Sequence, residues 1–87
     1  MDNLNIMAIL IKNRTDDAAE VQKILTKHGC IIETRLGLPN VIGDGCSDKG
    51  AIILRLDNKE EQINNLKAEL ESLAHVKTEN IQLNFNE

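Results

Sequence analysis

An α+β sandwich with the element order β-α-β-β-α-β is what this sequence predicts. Three observations predict it. Two nearly continuous apolar runs, LNIMAILI at residues 4–11 and AIILRL at 51–56, have the character of strands inside a sheet. Two further strand-like stretches, at 30–38 and 80–85, alternate polar with apolar residues, as strands with one wet side do. Between strands, two segments repeat apolar residues at helical spacing.

Each element can be justified in order. In strand one, Leu4, Ile6, Ala8 and Leu10 fall on one face, and Met7, Ile9 and Ile11 on the other. The chain turns polar from Lys12 to Thr15. Thr15 or Asp16 can cap the first helix, and Asp17 with Glu20 has capping-box spacing. Ala18, Val21, Ile24, Leu25 and His28 form its stripe. Acidic residues at its start and Lys23, Lys27 and His28 at its end suit the helix dipole. Gly29 can take the left-handed conformation that closes a helix. Strand two, CIIETRLGL, puts Ile32, Leu36 and Leu38 on one face and Glu33 and Arg35 on the other. Strand three sets Ala51 and Ile53 against Ile52, Leu54 and Leu56. Asn58 opens the second helix, with Glu61 at capping-box distance and Ile63, Leu66, Leu70 and Leu73 as its stripe. In strand four, Ile81, Leu83 and Phe85 alternate with Asn80, Gln82 and Asn84. Two right-handed crossovers then give one antiparallel sheet of order 4-1-3-2 with both helices on one face, the ferredoxin-like arrangement. Its two central strands are the two with fewest polar positions.

With 87 residues, the chain is expected to be one domain, 1–87. A chain this short buries roughly 60% of its unfolded surface, so its stability is marginal unless something adds to it. Helices cover one sheet face, yet strands one and three offer apolar groups to both. A patch of Met7, Ile9, Ile11, Ala51 and Ile53 is therefore expected to be hidden by a second copy of the chain, in a dimer or tetramer. Each such side chain contributes about 1.5–3 kcal/mol when buried, before the costs of association.

The composition, 41% hydrophobic and 28% charged, is that of an ordinary folded domain. A net charge of −4 argues against direct nucleic-acid binding, which needs a cationic face. The longest apolar run, MAILI, is far short of the roughly 20 residues that span a bilayer, and no signal-peptide pattern is visible. The expected location is the cytoplasm, where Cys30 and Cys46 stay reduced. Their spacing matches no zinc motif, and no cofactor is expected. Other uses of this fold lack their residues here. RNA-recognition sheets need aromatics on strands one and three, and there are none. A metallochaperone needs C-x-x-C before the first helix, where the sequence reads KNRTDD. An acylphosphatase needs a phosphate-cradling glycine loop there. Nitrogen-regulatory trimers use a long loop between strands two and three, and that comparison stays open.

The connection between strands two and three is the least ordinary stretch. Gly37 permits a bulge or a close backbone approach. Pro39 removes a ladder donor. Gly43, Asp44, Gly45 and Cys46 can make a compact turn, and Gly50 returns the chain to strand three. The connection is longer than a simple hairpin loop, and long hairpin loops often bind something. Arg35, Gly37, Gly43, Asp44, Gly45 and Cys46 are accordingly the candidate ligand-binding residues. The bland readings stand beside these. Arg35 can simply pair with Glu33 across a subunit boundary, Cys46 can be incidental, His28 reads as a helix-terminal cation, and Cys30 as a small buried residue. A metal site from His28, Cys30 and His75 is the weakest reading of the set.

RLGLP, then a polar loop with GCSDKG, then AIILRL, resembles the small stand-alone proteins named as regulators of the iron-only hydrogenase system. These are distant relatives of ACT domains and of the C-terminal domain of nickel-responsive regulators. The R-x-G-x-P element and the glycine before strand three carry the resemblance. Many members have a tyrosine after the proline and a short basic loop; this chain has Asn40 and a longer acidic one. The resemblance implies an oligomeric, ACT-like regulatory module with no DNA-binding domain of its own and no catalysis. ACT-like domains generally pair through strands or sheet faces and bind small effectors near subunit interfaces. The alternatives are a small redox or metal-binding component using Cys46 and a partner-binding adaptor.

Overall fold

The computed structural model describes residues 3–12, 14–39 and 49–85. Its elements are β1 (Asn3–Ile11), α1 (Arg14–Lys27), a single 3-10 turn (Gly29–Ile31), β2 (Ile32–Pro39), β3 (Gly50–Leu56), α2 (Glu60–Glu71) and β4 (Val76–Asn84). The strands form one sheet in the order β2-β3-β1-β4, with every neighbouring pair antiparallel. This is the predicted α+β ferredoxin-like topology.

The core lies between the sheet and the two helices. Met7, Ile9 and Ile11 of β1 and Ile52, Leu54 and Leu56 of β3 meet Val21 and Leu25 of α1 and Ile63, Leu66 and Leu70 of α2. The period of two in each strand and of three to four in each helix aims these side chains at one another. Polar side-chain contacts fasten the layers at their ends. Lys27 Nζ and His28 Nε2, at the end of α1, lie 3.1 and 2.8 Å from the two carboxylate oxygens of Glu69 on α2. Glu71 accepts from the Thr78 hydroxyl and backbone N–H on β4, while Lys67 Nζ donates to the Thr78 hydroxyl and carbonyl. These bonds hold the carboxyls of Glu69 and Glu71 below their ordinary range, chiefly through His28 and Thr78 respectively.

Several local expectations are corrected. The expected interface patch mixed two faces. Met7 and Ile9 are fully shielded and Ile11 nearly so, all within the helix-covered core, whereas Ala51 and Ile53 lie on the opposite face, only half-buried. Cross-strand partners Ala8–Ile53 and Leu10–Ala51 show which β1 residues share that face. Gly29 does not take a left-handed conformation; it opens the 3-10 turn instead. That turn takes in Cys30, which is exposed rather than buried, and delays β2 to Ile32. α1 begins at Arg14, so Thr15 and Asp16 fall inside it rather than ahead of it. Asp17 is also inside, and among the described residues its Oδ2 is buried without a hydrogen-bond partner. α2 starts at Glu60 with Lys59 before it and no side-chain cap. Asn58, itself exposed, reaches the buried Asn5 instead, its Oδ1 accepting from Asn5 Nδ2 at 3.5 Å.

β2 carries the remaining surprise. Its register on β3 shifts between Ile32 and Thr34, a bulge that inserts one residue. Ile32 therefore packs against the core, while Leu36 and Leu38 pair with Ile53 and Ala51 on the open face. A strict alternation would have put all three together.

Candidate functional site

The bulge also separates Glu33 from Arg35. Glu33 meets Arg55 Nε at 3.9 Å, and its carboxyl is raised because it shares a hydrogen bond with Asp57, with Arg55 opposing the shift. Arg35 turns to the helix side, opposite Leu54 in the ladder, and its guanidinium donates to Gln22 Oε1 on α1. Within the chain, Gln22 and not Glu33 is the arginine's side-chain partner.

Gly37, two residues on, pairs with Ile52 on the same side. A Cβ placed on Gly37 would meet no atom within 4 Å. The glycine thus faces open space, and a cleft of about 200 Å³ occupies it between α1 and the β2–β3 pair. Ile11, Ala18 and Ile52 form its apolar floor, Gln22 its polar wall, and Gly37 and Gly50 the backbone on either side of the strand connection. A second hollow of about 310 Å³, lined by Thr26, Gly29 and Arg35 among others, lies on the far side of the Arg35–Gln22 bond. Arg35 and Gln22 therefore stand between two openings in one groove. β2 is an edge strand, so its outer backbone groups border that groove without a sheet partner.

Of the predicted ligand-binding residues, Arg35 and Gly37 are brought together here. Gly43, Asp44, Gly45 and Cys46 lie outside the described residues; Pro39 and Gly50, paired with each other, are the ends of the strands that their segment joins. Sequence reasoning missed Gln22. Its position on α1, one residue after the core residue Val21, is the only signal it offered. Among the described residues, no three His, Cys, Asp or Glu side chains are grouped to hold a metal. No described helix is long and apolar enough to cross a membrane.

The open face is the other notable surface. Leu36, Ile53 and Ala8 form one cross-strand row, and Leu38, Ala51 and Leu10 the next. Ile6 pairs with Ile81 and Leu4 with Leu83 on the same side. Leu36 is 54% exposed and Leu83 57%. Arg55, Lys77 and Glu79 bring charge to this face, and Glu33 reaches Arg55 there.

The fold defines a class: a small ferredoxin-like α+β domain, the fold that ACT and PII-like domains share. The solved structures agree. The ACT domain of a GTP pyrophosphokinase from Chlorobium tepidum matches with TM-score 0.66 and 15% identity, over 93% of this chain and 89% of that one. CPII, a nitrogen regulatory PII-like protein from Thiomonas intermedia bound to ADP, AMP and bicarbonate, matches with TM-score 0.64 and 18% identity, over 97% and 93%. An uncharacterised protein from Thermotoga maritima, TM1266, gives TM-score 0.80 at 21% identity, over 92% and 95%. The family model TM1266-like, "Iron-only hydrogenase system regulator, putative", matches residues 3–80, and the chain belongs to that family. A comparison with curated proteins finds no match.

Proposed function

We propose that the chain is a non-catalytic, cytoplasmic regulatory domain that self-associates through its open sheet face and takes a small-molecule effector in the Gly37 cleft. The observation that carries this reading is the open face itself. Four strands contribute apolar side chains to it, and an isolated small domain rarely leaves so continuous a patch in water. The occupant we assign is a second copy. The charges on the face are of both signs, Arg55 and Lys77 against Glu79, so a copy turned end for end can meet opposite charges. A domain of this size also gains from association what its own core does not supply.

The effector reading rests on Gly37, Gln22 and Arg35. An apolar floor with one carboxamide and one guanidinium at its lip suits a small ligand that carries both an apolar part and a polar or anionic group. Leu38 and Ala51 border both the cleft and the open face. An effector in the cleft therefore touches the residues that support the interface, which is the coupling a regulatory domain requires. Adenine nucleotides are the first probes to try, because the PII-like CPII of the same fold is bound to ADP and AMP.

Sedimentation velocity at micromolar concentration tests the assembly. The wild type is expected to run as a dimer or larger, and Ile53→Glu as a monomer. A well-folded 9.7 kDa wild-type particle would refute the interface. Thermal-shift assays with adenine nucleotides, amino acids and divalent metals test the effector, since binding to the folded state raises the midpoint with occupancy.

A further inference from the structure

Asn80 and Gln82 pair with Met7 and Asn5, which places them on the helix-covered side of the sheet. There a cleft of about 160 Å³ opens between β1, β4 and the first turns of α2, lined by Asn5, Glu60, Ile63, Asn64, Asn80 and Gln82. Four of these six are carboxamides. It sits at the Asn5 end of β1, whereas the Gly37 cleft sits at the Ile11 end.

Asn5 is the informative member. It is 1% exposed and continues the core row of Met7, Ile9 and Ile11. A buried carboxamide costs free energy there unless its polar atoms are bonded, and an aliphatic residue would not. Gln82 Nε2 donates to Asn5 Oδ1 at 3.1 Å, and Asn5 Nδ2 reaches Asn58 Oδ1 at 3.5 Å, the outer limit of a hydrogen bond. A carboxamide has two N–H donors and two acceptor lone pairs, so these contacts use about half of what Asn5 can form. Asn64 and Asn80 add further donors and acceptors at the same opening.

We propose that this cleft is a second ligand site, separate from the Gly37 cleft, for a small neutral molecule carrying an N–H donor beside a C=O or ring-nitrogen acceptor: a primary amide, a ureide or a single-ring nucleobase. Carboxamides offer a donor and an acceptor side by side, and a ligand with the same pair makes two matched bonds, as Asn and Gln do with a base edge. Among the described lining residues there is no Lys, Arg or His, and Glu60 is acidic, so anions are disfavoured. Ile63, 2% exposed, is the one apolar residue among the described residues that line the cleft. The volume suits one ring, since a cavity of about 150 Å³ holds benzene.

The test is a ¹H–¹⁵N NMR titration of the intact chain with nicotinamide and uracil, with nicotinate as the charged control of the same shape. Saturable shifts of the side-chain NH₂ signals of Asn5, Asn64 and Gln82 with either neutral probe, and none with nicotinate, support the site. Which probe acts separates an amide from a nucleobase ligand. Asn64→Leu, on the exposed side of α2, is expected to weaken that binding at least tenfold while leaving the thermal midpoint near wild type. Asn80→Leu on β4 serves the same purpose from the opposite wall. The proposal is overturned if neither neutral probe moves these signals, if nicotinate moves them equally, if both variants bind as wild type does, or if the shifts cluster around Gly37.

Discussion

The two faces of the sheet are built from nearly the same residues and meet different fates. On one, Met7, Ile9, Ile52 and Leu54 disappear beneath two helices; on the other, Ile6, Ala8, Ala51 and Ile53 stay half-buried and Leu36 and Leu83 lie open. Residue type does not separate these sets. What separates them is one step along the strand, because successive side chains point to opposite faces. The same aliphatic group is structural adhesive on one face and, in the assembly proposed above, the contact surface on the other.

Paired substitutions test that difference most directly. Ile9→Ala empties part of a packed core and is expected to cost about 2–5 kcal/mol in urea unfolding. Ile53→Ala, on the neighbouring central strand and the opposite face, removes a group that the folded monomer only half buries. It is expected to cost well under half as much under conditions where the chain is monomeric. Equal costs would mean that the open face is as tightly packed as the core. Next in size is Ile53→Glu, which places a carboxylate in the middle of the open face. The expected result is loss of assembly in sedimentation with the circular-dichroism signature of the fold intact. A variant that still assembles would move the interface elsewhere.

The same comparison explains what was legible in the sequence. Strand and helix periods were plain, so element order and sheet topology could be derived. Which face the helices would choose was not, because LNIMAILI is apolar on both, and pooling Met7, Ile9 and Ile11 with Ala51 and Ile53 joined residues that the register keeps apart. The bulge at Ile32–Thr34 left no mark in residue type, and it decided that Arg35 faces α1 while Glu33 faces Arg55. Gly37 was identified as a place of close approach or bulging; it is instead a gap in the wall of a cleft. Asn58 has the chemistry of a helix cap but is drawn to a buried amide 53 residues away in the chain, a pairing that local spacing does not encode.

Gly37→Val sharpens the comparison from the cleft side. The open space at this position admits a side chain, and valine suits a strand better than glycine does. Thermal unfolding is expected to show little change or a gain of up to about 1 kcal/mol. Any effector-dependent rise in the midpoint should be lost, because the valine occupies part of the cleft. A retained ligand shift in a well-folded variant would place the effector elsewhere.

The smallest effect separates the helix layer from the open side by the sign of its pH dependence. The Glu69 carboxyl is held below its ordinary value of 4.5 by His28 first and then Lys27. Its contribution to stability is present above that value and is lost as the pH falls through the depressed one. The Glu33 carboxyl is raised above 4.5, first by its hydrogen bond with Asp57, so its contribution is present below 4.5 and is lost as the pH rises. Glu69→Gln should therefore melt below wild type at neutral pH and converge with it in acid. Glu33→Gln keeps a hydrogen-bond donor for Asp57 without the second negative charge, and should melt at or slightly above wild type at neutral pH. Both carboxylates are solvent-accessible, so salt screens these differences and they will be modest. Melting both variants from about pH 3 to pH 8 at low ionic strength reads the two signs directly. A Glu33→Gln protein destabilised at neutral pH as much as Glu69→Gln would mean that Arg55, and not Asp57, governs the open-side carboxylate.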